Sequence, residues 1–542
     1  MEQVYGRARR LGPLLLPLLL VGGVALDNGG YDPTTWGWST LLPLVILGAA
    51  LLRGEARLPG PYGVAFLGLF GAFTAWTFAS VAWSEDVAQS VLEGERLLLY
   101  AAAGAAFLLV GRKHAERFLV GILAAITLAC GWALCLRAFG GPGSYDVVSA
   151  SLGATRRLAA PLGYSNGLGV FAAIGIVLAV GIAARRRSVA AAAPVLVLVP
   201  VLYFTYSRGA WLALGAGLLA AGLLLRPSVP RPVAIGLGSA LALALVSVLV
   251  WVGGPLGALR KFSGAGPAVK ANQSSRLLSL SGSSRAQYWH VAWREYAAEP
   301  WLGSGAGSFQ RRWLRLRPAA LPVLDAHSLY LETLAEVGPI GLLLLVALLS
   351  SPLLAAFRSA APARAAPAFG GYVAFLVHAA QDWDWELPAV TLAGLGCAAV
   401  LLLHAERRER AAPSPRRRAL ALAAVLALAL AALGALAGNE ALASASAALD
   451  RDEPGPASSA ARWAERLVPW SPEPLRLHGE AELSLGEVGA AQHDFRRALA
   501  VDPADWESWA DLALVSQGTA RRSALGRARR LNPREQIPSV GG

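Results

Sequence analysis

The chain has 542 residues, 55% of them hydrophobic and only 15% charged, with a mean hydropathy of +0.49. That is too apolar for a soluble protein of this size, and apolar runs of roughly 15–24 residues recur, which suits helices spanning a hydrocarbon layer of about 30 Å. The net charge of +13 gathers in short clusters between the runs, so it is read as membrane topology and not as a nucleic-acid-binding surface.

In chain order the runs predict spans near 11–26, 39–52, 62–83, 95–111, 116–138, 164–184, 189–206, 209–225, 232–252, 327–349, 367–380, 387–404 and 419–437. The first follows Arg7, Arg9 and Arg10. It is read as a span and not a cleaved leader, because Asp27-Asn28-Gly29-Gly30 has no small-x-small pattern. A cytoplasmic N-terminus puts Arg53/Arg57, Arg112/Lys113/Arg117, Arg185-Arg186-Arg187, Arg226/Arg231, Arg358/Arg364 and the basic cluster 407–418 inside, while the opposite loops 27–38, 84–94 and 381–386 carry no Lys or Arg. Cys130, Cys135 and Cys397 fall inside apolar runs, as small buried residues and not as a disulfide or metal set.

Three ionisable groups stand at span edges on the outer side, where a charge is costly unless it is used: Arg208 in Tyr206-Ser207-Arg208-Gly209, Arg285, and His327 in Asp325-Ala326-His327-Ser328. Two guanidinium groups and an imidazole suit a pyrophosphate and a hydroxyl proton. The long outer loop 253–326 has a helical pattern from Ser284, with Ser283 or Ser284 at its cap. Arg285, Tyr288/Trp289, Ala292/Trp293 and Tyr296 share one face, as in a helix lying on the membrane surface. Gly303, Gly305 and Gly307 follow. Their spacing is not that of a dinucleotide site, and they predict a tight turn whose exposed amides approach a phosphate or the bilayer. Asp382-Trp383-Asp384 has the form of a DxD metal motif, but the soluble α/β domain that uses it is missing, so no metal and no cofactor is expected.

Residues 438–456 read as a linker, with Asp450-Arg451-Asp452-Glu453-Pro454-Gly455-Pro456, and 457–542 as a separate tail. Pro469 and Pro503 lie 34 residues apart, each five positions after an alanine, Ala464 and Ala498. Gly479, Gly486, Ala491 and Phe495 complete a tetratricopeptide-like pattern of stacked helix pairs whose concave face suits a protein partner.

Several motifs in order resemble the O-antigen ligase/polymerase family of bacterial membrane glycosyltransferases. They are Arg157-Leu158 with Gly163-Tyr164-Ser165-Asn166; Ser207-Arg208-Gly209; Arg285…Trp289…Trp293…Pro300 through Phe309; Ala326-His327-Ser328-Leu329-Tyr330; Glu336-Val337-Gly338-Pro339; and His378…Asp382…Pro388. The resemblance covers roughly residues 60–405 and implies an all-α, glycosyltransferase-C-like membrane domain over 1–437 with about 12–13 transmembrane helices. It implies metal-independent transfer of a glycan from an undecaprenyl-pyrophosphate carrier to an acceptor hydroxyl on the outer face of the inner membrane. His327 matches the catalytic base and Arg208 and Arg285 the pyrophosphate ligands; Arg157, Asn166, Asp325 and Asp382 are supporting candidates. Polymerisation of repeat units and protein O-glycosylation share this donor chemistry. A transporter of lipid-linked sugars would instead place charges mid-span.

Overall fold

The computed structural model describes residues 2–109, 115–140, 157–225, 284–318, 321–359, 361–406 and 412–537. These form an all-α, multi-pass membrane protein, with nineteen helices and no strand among the described residues. The first eight are α1 (Glu2–Leu26), α2 (Pro33–Leu52), α3 (Pro61–Ala79), α4 (Val87–Leu109), α5 (Ala115–Phe139), α6 (Ser165–Arg186), α7 (Val195–Thr205) and α8 (Arg208–Leu225). Two short helices, α9 (Arg285–Ala298) and α10 (Phe309–Leu316), precede α11 (Leu329–Phe357), α12 (Pro362–Ala379), α13 (Pro388–Ala405) and α14 (Pro415–Asp450). The tail adds α15 (Pro454–Leu467), α16 (Glu473–Ser484), α17 (Val488–Val501), α18 (Trp506–Leu514) and α19 (Gly518–Leu531).

Eight helices (α2, α3, α5, α6, α8, α11, α13 and α14) are long and apolar enough to cross a membrane, with shorter apolar helices over Leu14–Leu26 and Val189–Thr205. The predicted span 232–252 lies outside the described residues; every other predicted run coincides with one of the helices. Proline within the first turn starts α2, α3, α12, α13, α14 and α15, where its missing N–H costs nothing. α13 and α6 are buried along almost their whole length and form the centre of the bundle. Where α8 crosses α12, a Cβ on Gly217 would sit 2.7 Å from the Gly370 carbonyl oxygen, and one on Gly370 2.4 Å from that of Gly217. The two backbones touch because neither residue has a side chain.

Two helices differ from their predicted extent in ways that shape the site. α11 is bent at Gly338 (φ 68°, ψ −174°), next to Pro339, and Trp76 Nε1 donates to the Val337 carbonyl that the bend releases (2.9 Å). The stretch after the bend, 339–357, is about 28 Å long and suffices to span. The residues before it, including Glu332 and Glu336, belong to the site end of the bundle. α14 is one unbroken helix to Asp450, so residues 438–450, read as linker, are helical, and the chain turns only at 451–453. Beyond the bundle, Ala441, Ala445 and Ala448 pack on Ala464, Ala461 and Ala457 of α15, a ladder of small residues that brings the two helices close. In the next helix pair, Gly479 leaves room for the Phe495 ring.

Candidate functional site

At one end of the bundle the turns 27–32, 157–164, 206–208 and 380–387 meet α9 and the segment 321–328 around a cavity of about 490 Å³, while the turn 80–86 bonds Leu302 and α10. Arg157, Asn166, Arg208, Arg285, Asp325 and His327 all line it, although they come from four separate stretches of sequence. Four non-glycine residues at its edge take the left-handed backbone conformation: Asn28 (φ 49°), Tyr206 (φ 49°), Ser284 (φ 72°) and His327 (φ 56°). The last three each stand at or within two residues of one of the three ionisable groups. Such strain persists only where surrounding structure enforces it. Ser284 occupies the N-cap position of α9, but in that conformation its side chain makes no cap bond.

Asp382 lies behind the cavity, 1% exposed, and organises it. Its Oδ2 accepts from Arg285 Nη2 (2.7 Å) and Asn166 Nδ2 (2.7 Å), and its Oδ1 from the Tyr164 hydroxyl (2.7 Å) and the Trp383 amide (3.1 Å). Burial disfavours its charge, but the Arg285 guanidinium, with His327 and His378, outweighs burial and holds the carboxyl well below the usual carboxylate range. Burial also works against Arg285, and Asp382 more than compensates, so the guanidinium stays charged. Arg157 is buried; Nε donates to the Thr205 carbonyl (2.8 Å) and Nη2 to Asn166 Oδ1, tying the end of α7 to the start of α6. Its contacts are those of a support for the Arg208 turn. Asp384, two residues from Asp382, faces His378 Nδ1 (2.6 Å), so the two carboxylates of the DxD motif diverge to different partners.

The His327 ring lies half-buried against Tyr288, with centroids 4.8 Å apart, and its Nδ1 is 3.1 Å from the Asp325 carbonyl oxygen. A carbonyl only accepts, so Nδ1 carries the proton and the lone pair is on Nε2. Burial, reinforced by Arg285 and opposed by Asp382, lowers the His327 pKa from 6.5, leaving the ring neutral at pH 7. The contact of Asp325 with the ring is thus through its backbone and not, as expected, its carboxylate. That carboxyl gathers with Glu332 and Glu386, one oxygen of each within 4.8 Å of the others. Burial and the Glu386 carboxyl push Asp325 well above the usual range. Arg96 balances the cluster from α4, donating to Glu386 (2.9 Å) and Glu93.

The glycine turn differs from its reading. Gly303, Gly305 and Gly307 have positive φ, as a tight turn requires, and the amides do converge on an acceptor. That acceptor is the Glu336 carboxyl, whose Oε2 accepts from Gly307 N (2.9 Å) and Oε1 from Phe309 N (3.1 Å). These amides are therefore internally satisfied and not exposed toward a phosphate. A Cβ on Gly303 would lie 2.3 Å from the Glu336 carbonyl oxygen, which is why the turn can press against α11. The aromatic stripe of α9 also divides: Tyr288 is buried under Trp313, while Trp293 is 55% exposed.

Residues 193–346 match the family model described as O-Antigen ligase. They carry an O-antigen ligase domain. The matched stretch includes Arg208, Arg285, Asp325 and His327, and the enzyme class that follows is membrane glycan transfer of the ligase or polymerase type. No curated protein matches the chain. Arg157, Asn166 and Asp382 lie outside the stretch matched to the O-antigen ligase model, yet share the cavity or its hydrogen bonds. Sequence reasoning missed the Glu336 carboxyl as the acceptor for the glycine turn, and the Glu93–Arg96–Glu386 group. The one available signal for the latter was Glu93-Gly94-Glu95-Arg96, a charged step inside an otherwise apolar run.

Proposed function

We propose that this O-antigen ligase domain transfers a glycan from an undecaprenyl-pyrophosphate carrier to an acceptor hydroxyl on the outer face of the inner membrane, with no metal and no nucleotide sugar. The observation that carries this reading is one cavity that holds Arg208, Arg285 and a neutral His327 with its Nε2 lone pair available. In the reaction, His327 Nε2 takes the acceptor hydroxyl proton and the oxygen attacks the anomeric carbon. The bond from that carbon to the pyrophosphate oxygen breaks, and its electron pair leaves with the phosphate. Arg208 and Arg285 stabilise the charge gained there, as planar donors suited to phosphate oxygens. Asp382, itself held by Tyr164 and Asn166, keeps Arg285 in place. The basic residues Arg185, Arg186, Arg364 and Arg418 lie at the other end of the bundle, which supports a cytoplasmic N-terminus, the cavity outside and the tail outside with it.

The test is purified protein with a polyprenyl-pyrophosphate oligosaccharide and a soluble acceptor. Transfer that persists in EDTA and is abolished in His327→Ala supports the reading; full activity in His327→Ala, or loss on chelation with rescue by Mg²⁺, refutes it. Polymerisation shares these steps and differs only in that the acceptor is itself carrier-linked. Identifying the glycan-bearing product lost from cells carrying His327→Ala separates the two.

A further inference from the structure

The bundle holds a second concavity, in the half away from the site. α2 presents Leu44 and Leu47, α4 presents Ala101 and Ala105, and α14 presents Ala421 and Ala424 to a common slot of about 350 Å³. Spacings of three and four residues put each pair on one helix face, and the short alanine side chains leave the space between the three helices unfilled. Arg57 and Arg417 stand at the mouth. Both are exposed, and among the described residues no carboxylate lies within ion-pair distance of either. Arg57 Nη1 donates to the Gly54 and Ala56 carbonyls (3.0 and 3.3 Å), which fixes the side chain without neutralising it. Arg418 is held back by the Leu52 carbonyl.

We propose that this slot binds an anionic phospholipid, one acyl chain between α2, α4 and α14 and the headgroup phosphate on Arg57 and Arg417. A hydrocarbon chain gains little by leaving bulk lipid for an equally apolar slot, so selection must come from the headgroup. The two arginines supply it: a cationic residue near an anionic lipid surface favours binding by about fivefold. Shape confines the chain and charge chooses the lipid. The slot lies in the opposite half of the bundle from the Arg208–Arg285–His327 cavity, so its occupancy and donor binding are separate events.

Native mass spectrometry of the full chain, exchanged against equimolar phosphatidylglycerol and phosphatidylethanolamine, tests this. Wild type should retain one phosphatidylglycerol in preference, the preference should fall about fivefold in Arg57→Gln or Arg417→Gln and further in the double variant, and Ala101→Trp should abolish retention with both arginines intact. Ala424→Leu, a smaller obstruction, serves if Ala101→Trp does not insert, and should weaken retention. Equal retention of both lipids, a preference unchanged in the double arginine variant, persistence in the blocked variants, or displacement by added undecaprenyl phosphate at equal concentration would overturn the assignment.

Discussion

At the residue scale, His327 combines a strained backbone with a fixed tautomer. Its left-handed φ turns the ring into the cavity, and the Asp325 carbonyl keeps the proton on Nδ1. His327→Ala should lower transfer by about 10²–10⁴-fold, the usual worth of a general base, while thermal unfolding in detergent stays near wild type. The base works only when neutral, so transfer should be lost as pH falls. Because burial lowers the His327 pKa, the midpoint of that acid limb in kcat/KM should lie below 6.5. The Asp382 carboxylate opposes this lowering, so in Asp382→Asn the residual activity should have its acid limb at still lower pH; a shift to higher pH would contradict the assignment. Arg285→Lys keeps the charge but forfeits the fork shared between Asp382 and the cavity. It and Arg208→Lys should each reduce kcat/KM by more than tenfold, measured at saturating acceptor. These three residues were legible because each is an ionisable group at the edge of an apolar run. The hub was not: Asp382 meets Arg285 across 97 positions of sequence, a pairing that no local pattern encodes.

The glycine turn illustrates, at the scale of elements, why a motif gives shape more readily than partner. Three glycines announced a nest of amides, but which acceptor fills it depends on α11, whose bend at Gly338 places Glu336 beneath the turn. Glu336→Ala would strand the buried Phe309 amide and the part-buried Gly307 amide and should destabilise the protein by about 1–3 kcal/mol, read as a lowered midpoint of thermal unfolding in detergent. α10 is anchored similarly from two sides. Arg311 bonds Asp86 (2.7 Å) in the α3–α4 turn and both oxygens of Asp502 in the tail, and the buried Arg317 bonds Asn532 (2.8 Å) after α19. From α10, Trp313 reaches the Leu321 carbonyl and stacks edge-on with Tyr288, which contacts His327. Asp502→Ala combined with Asn532→Ala should therefore reduce kcat several-fold with a simple soluble acceptor, where a tail concerned only with its own partner would leave kcat unchanged. The tail had read as a separable unit from its 34-residue spacing, since arginines in a loop and acids near Pro503 carry no sequence sign that they pair.

For the molecule as a whole, hydropathy was enough to locate the apolar helices among the described residues, because the cost of exposing polar backbone to lipid leaves helices as the choice for such runs. Their ends were less legible where a helix continues past the bilayer, since hydropathy stops reporting once lipid stops selecting. α14 is the extreme case: 36 residues without a break, about 54 Å of rod. Residues 415–418 precede the span 419–437, so the 13 residues 438–450, about 20 Å of helix, remain above the surface, and the first helix of the tail is that same rod. The tail therefore has a fixed height and a fixed heading over the cavity, as a gauge block has over a bench. Whatever it grips is delivered at one level and one azimuth, and an insertion of two residues near Gly438 would turn the whole tail by about 200° away from α10 without altering a single side chain in it.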